Sequence, residues 1–136
     1  MPVTSTELLV FARELRESPD EVARRSSTSR LYYGLLHRAI ECLQDVRPGL
    51  ERPRVGSTFD WIQNQFIDSS PSHRHMLNLL RELKDERQHA DYDVDRGDWS
   101  LERVESAEQL ARQIARLLDE VTARPLGQDP ALTLLS

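Results

Sequence analysis

The sequence predicts an all-α protein, an up-and-down bundle of about five helices. Three observations carry that expectation. Apolar residues recur at three- and four-residue steps, as in Leu31 through Val46 and Val104 through Val121, which marks helices with one buried face. No segment alternates apolar and polar residues over the length of a strand. Only 5 of the 136 residues are glycine and aromatics make up 6%, so aliphatic side chains supply most of the core.

Each element has a start signal, a face and a stop. Thr4 and Glu7 form a capping box, after which Leu8, Phe11 and Leu15 fall on one side of a first helix. Ser18-Pro19-Asp20-Glu21 is the next start, with serine as N-cap and proline at the first helical position. The run RRSSTSR, Arg24 to Arg30, weakens the beginning of that second helix, because hydroxyl side chains compete for backbone hydrogen bonds. The pattern then firms up through Tyr32, Leu35, Leu36, Ala39, Leu43 and Val46 until Pro48-Gly49. A loop over 48–57 leads to Ser57, the cap of a short helix with Phe59, Ile62 and Phe66 on one side. Ser70-Pro71 opens the fourth helix, whose core face is Met76, Leu79, Leu80 and Leu83, and the acidic stretch Asp91 to Asp98 breaks it. Asp98 caps a last helix from about Trp99 to Arg124, with Val104, Ala107, Ala111, Ile114, Leu118 and Val121 inward, and Pro125 and Gly127 stop it.

Residues 1–124 therefore read as one helical domain, long enough to bury a core without staples, and 125–136 as a short tail. A net charge of −5 argues against wholesale coating of nucleic acid, though arginine clusters leave room for a local basic face. Cys42 is the single cysteine, which excludes an internal disulfide and suits a reducing cytoplasm. The opening residues lack the pattern of a signal peptide, and no run approaches the roughly 20 apolar residues that span a bilayer. The expectation is a cytoplasmic protein with no membrane partner and no cofactor.

Several clusters invite chemistry. Asp91, Asp93, Asp95 and Glu102 occupy positions 1, 3, 5 and 12 of a calcium loop, but Arg96 stands where that loop needs glycine, so an acidic turn is the better reading. His73 and His75 lack a local ligand partner and read as solvated residues of a helix's first turn rather than a metal site. The Arg24–Arg30 run offers guanidinium and hydroxyl groups to a phosphate, or forms a polar helix face. Tyr32 and Tyr33, about 100° apart on a helix, place one ring in the core and one toward a partner or polar site.

The densest mixture of titratable side chains is RELKDERQHADY, Arg81 to Tyr92. Lys84, Arg87 and His89 are the groups suited to phosphodiester cleavage, an imidazole to move a proton and a cation to stabilise an oxyanion. Arg87 and His89 are two residues apart, about 200° around a helix, so they do not act together within one chain. Lys84, five residues before His89, also faces elsewhere. The competing structural role for Arg87 is an ion pair with Asp91 one turn on.

The segment RLYYGLLHRAIECL, Arg30 to Leu43, is similar to the R-x-YYA-x-F-H-A helix of HEPN-domain proteins. ERQHADYDVD, Glu86 to Asp95, resembles the R-x-x-ADYD segment of one branch of small prokaryotic members, and the resemblance covers roughly residues 6–124. It implies a bundle of four to five helices that forms a homodimer through the motif-bearing helices, in a toxin–antitoxin or phage-defence setting. The implied partners are RNA, a nucleotidyltransferase-like antitoxin or another defence protein. On the matched motifs, Arg30, Tyr33, His37, Asp91 and Tyr92, together with Arg81, are the candidate RNA- or partner-binding residues. Many HEPN proteins are metal-independent endoribonucleases with an Arg-x(4–6)-His motif completed across the dimer. Here seven residues separate Arg81 from His89 and one separates Arg87 from His89, while Lys84 has the right spacing without the guanidinium fork. A binding role without the standard catalytic motif is the expectation, and an interfacial ribonuclease using Arg87, His89 and Lys84 the alternative.

Overall fold

A computed structural model describes residues 3–52, 54–66, 70–93 and 99–122. Five helices follow in order: α1 (Ser5–Arg16), α2 (Glu21–Val46), α3 (Thr58–Gln65), α4 (Pro71–Tyr92) and α5 (Leu101–Thr122). No strand occurs among the described residues. The protein is an all-α bundle, and α2 is its axis, packed against every other helix.

Side-chain contacts set the directions. Ser5 meets Glu41 and Ala12 meets Ser27, so α1 runs antiparallel to α2. Arg25 reaches Ala90 while Arg87 lies over Tyr33, which makes α4 antiparallel as well. Thr28 meets Trp99 and Cys42 meets Leu118, so α5 runs parallel to α2. The expected inward residues of α2, α3, α4 and α5 are all buried, with Leu43, Ile62, Leu83, Ile114 and Leu118 fully so.

Caps explain most boundaries. The hydroxyls of Thr4, Ser57 and Ser70 accept the amides of Glu7, Asp60 and His73, as the sequence predicts. Two starts differ. The N-cap of α2 is Asp20 rather than Ser18, whose hydroxyl instead accepts the Asp20 amide just outside the helix. At α5 the hydroxyl of Ser100 accepts the Arg103 amide, so the helix begins at Leu101, later than expected; Asp98 and the tail 125–136 lie outside the described residues. The acids at 91–93 do not break α4, which continues through Tyr92.

Two packing expectations are overturned. On α1 the buried residues are Ser5 and Ala12, and Phe11 is 46% exposed. The reason is close approach: a Cβ at Gly34 of α2 would fall 2.6 Å from Leu9 Cδ2, so small residues on both helices let the backbones near one another. The RRSSTSR run does not weaken α2 either. Its hydroxyls leave the competition for local backbone by bonding elsewhere, Ser27 Oγ to Ala12 O at 2.6 Å and Ser29 Oγ to Asp91 Oδ2 at 3.3 Å. Polar side chains thus staple α2 to α1 and α4.

Gly34→Ala is expected to destabilise the fold by about 1–3 kcal/mol through overpacking against Leu9. A urea titration followed by circular dichroism measures this, and an unchanged midpoint would show that the two helices are not held at that distance.

Candidate functional site

The last two turns of α4 carry most of the candidate residues, and the anchor of this end of the bundle is Arg25. Its side chain is 7% exposed and lies 3.4 Å from Glu21 Oε2. From there the guanidinium donates to the carbonyls of His89, Ala90 and Asp93 at 3.0–3.2 Å. These carbonyls end α4, where a helix has acceptors without intrahelical donors and a partial negative charge. Arg25 is therefore a cap supplied by another helix, and neither a phosphate ligand nor part of a solvated polar face. Its neighbour Arg24 donates to the Trp99 carbonyl at 2.7 Å and to the Pro19 carbonyl at 2.6 Å.

Trp99 completes the knot. It is 1% exposed, its indole N–H donates to Thr28 Oγ1 at 3.0 Å, and its backbone N–H donates to Glu21 Oε1 at 2.8 Å. That amide bond holds the Glu21 carboxyl below its ordinary range, with Arg25 adding to the effect. The guanidinium of Arg103 stacks 3.9 Å from the indole centroid and that of Arg25 lies 5.0 Å away. Sequence reasoning missed this role. The available signal was a tryptophan at a helix start, since a buried indole N–H needs an acceptor and the nearest hydroxyl-rich segment is residues 26–29.

Arg87 faces α2. Its side chain is 15% exposed, with Nη1 3.6 Å from Asp91 Oδ2 and the guanidinium carbon 5.3 Å and 5.7 Å from the Tyr33 and Tyr32 ring centroids. The two rings meet edge to face at 5.2 Å, with Tyr32 in the core and Tyr33 half-buried. Burial pushes the Tyr32 phenol up to about 12, outweighing the opposite pull of Arg87, so it stays protonated at neutral pH. Asp91 also accepts from Ser29, which ties this carboxylate to α2.

His89 points elsewhere. Its Nδ1 lies 2.5 Å from Asp93 Oδ2, beside a cleft of about 220 Å³ lined by Arg25, Trp99 and Arg103. Arg103 in turn reaches Glu86 at 3.2 Å. Arg87 and His89 thus occupy different sides of α4 and do not converge within the chain. Lys84 is directed at a third neighbour, with Nζ 4.6 Å from the Phe59 centroid, and Arg81 lies 5.7 Å from the same ring while donating to Asn78. Arg30, Tyr33 and His37 share one stripe of α2 at half-buried positions, and Tyr92 is 73% exposed.

The remaining candidates separate as well. Asp91 and Asp93 are engaged with Arg87 and His89, and Asp95 lies outside the described residues. His73 is buried with its ring edge to face on Phe66 at 5.1 Å, rather than solvated, whereas His75 is exposed. Among the described residues no group of three or more His, Cys, Asp or Glu is placed to hold a metal ion. No described helix is long and apolar enough to cross a membrane.

Comparison with protein-family models, curated proteins and solved structures finds no match to this chain.

Arg25→Ala would strip three carbonyls of a buried charged donor, an expected loss of about 2–3 kcal/mol in urea unfolding. Arg25→Lys is expected to recover only part of it, because an ammonium is a point donor without the fork that spans three acceptors. Equal stability of native and Arg25→Ala protein would disprove the capping role.

Proposed function

We propose that this chain is a HEPN-like, non-catalytic binding module that works as a homodimer in a prokaryotic toxin–antitoxin or phage-defence system. The carrying observation is the commitment of Arg87. Its guanidinium is mostly buried on Tyr32 and Tyr33 and paired with Asp91, while His89 is turned to the opposite side and paired with Asp93. A cation that stabilises an oxyanion must face the reacting phosphate, and a general base must share that space. Neither condition is met by this pair within one chain.

The same geometry suits recognition. Arg87 and Asp91 brace Tyr33 and Ser29, which makes the junction of α2 and α4 rigid. Around it stand Arg30 and His37, which have no ion pair or side-chain hydrogen bond among the described residues, and the exposed ring of Tyr92. Rigid aromatic residues beside uncommitted cations are the composition of protein-binding hot spots. With a net charge of −5, a protein surface is the better partner for this face than a nucleic-acid backbone, and a second copy of the chain is the first candidate.

Two measurements test this reading. Light scattering at micromolar concentration is expected to give twice the 15.7 kDa chain mass, and Tyr92→Ala is expected to weaken the dimer tenfold or more, about 1.4 kcal/mol. A native mass of one chain refutes the dimer. Incubated with total RNA without metal, the native chain, Arg87→Ala and His89→Ala should all leave the RNA intact. Cleavage by the native chain that both variants lose would replace this proposal with the ribonuclease reading.

A further inference from the structure

Helices α1 and α5 both lie on α2 but leave an apolar groove of about 210 Å³ between them. Its floor is Leu31 and Leu35, and its walls are Leu9 on one side and Ala111 and Ala115 on the other. The volume is below the roughly 300–1,000 Å³ of small-molecule sites, so it suits a few apolar side chains. The rim is positively charged. Arg13 and Arg112 stand on it with no ion-pair partner among the described residues, whereas the rim carboxylate of Glu108 is 2.9 Å from Arg16 Nε.

We propose that this groove is the seat of the chain's own segment Pro130–Leu135, PALTLL, with Leu132 and Leu134 on the leucine floor and Asp129 toward Arg13 or Arg112. The length and direction of the chain favour this occupant over a second copy. Because α5 runs parallel to α2 and antiparallel to α1, Thr122 ends at the same end of the bundle as the start of α1. Ala115 is seven residues back along α5, about 10 Å at 1.5 Å per residue. Residues 123–129 extend to at most about 23 Å, enough to reverse and enter the groove. Pro125 and Gly127 lie in that connection, residue types that stop a helix and turn the chain. The apolar residues of the segment match the groove, and its preceding acid matches the rim. This inference goes beyond the proposed function and does not depend on it.

Cross-linking in the full chain tests it. Leu134→Cys is paired with Ala115→Cys in the groove or, as a control, with Gln113→Cys at the same height on the far side of α5. Native Cys42 does not compete, being buried with its thiol pushed up to about 11. Under mild oxidation the Ala115→Cys pair is expected to close an intrachain disulfide at least tenfold faster than the control. Adding Arg13→Glu and Arg112→Glu should slow that closure several-fold. Equal rates in the two pairs overturn the proposal, and so does a product in which only two different chains are joined.

Discussion

The guanidinium of Arg25 is the point on which this end of the bundle depends. An α-helix ends with carbonyls that have no intrahelical donor, and burying them unsatisfied is costly. Here α4 ends inside the bundle, and its terminal acceptors are met by a side chain from α2 rather than by water or by a glycine cap. Arg25 is held in turn by Glu21, whose other oxygen takes the Trp99 amide. One arginine thus fixes where α4 stops, and its ion-pair partner fixes the segment leading into α5. Trp99, between the Arg25 and Arg103 guanidiniums, fills the volume that this arrangement encloses.

That anchoring decides the fate of the titratable cluster on α4. With its last turns tied down and regular through Tyr92, side chains at 87 and 89 diverge as helical geometry demands. Arg87 is delivered onto the tyrosines of α2, His89 onto the cleft beside Arg25, and Lys84 onto Phe59. A break in the helix at Asp91 would have freed these groups to converge. The regular helix instead turns a candidate catalytic set into three separate contacts, and leaves Tyr92 as the apolar group most open to a partner.

Much of the fold was legible because periodicity and capping are local properties. The stripes of α2, α3, α4 and α5 and the caps at Thr4, Ser57 and Ser70 need only the sequence and the 3.6-residue turn. The segment RRSSTSR shows where that reasoning stops. Hydroxyl side chains weaken a helix when they bond its own backbone, yet Ser27 and Ser29 bond α1 and α4, partners visible only once the helices are assembled. Likewise the Leu8–Phe11–Leu15 stripe of α1 looked like its core face, but Gly34 draws the small side of that helix inward and leaves Phe11 partly in solvent.

The sequence by itself determined the helical class, the number and order of the helices, most of the buried residues and the angular separation of Arg87 and His89. All of these follow from spacing along one chain. Only the tertiary structure decided that Arg25 caps α4, that Trp99 joins α2 to α5, and that Arg87 is spent on Tyr32, Tyr33 and Asp91. Those contacts link residues 4 to 78 positions apart, and an arginine's sequence neighbours do not tell whether its guanidinium meets a phosphate, a carboxylate or the end of another helix. Which acceptor it meets is set by the burial of that acceptor, and burial belongs to the assembled bundle.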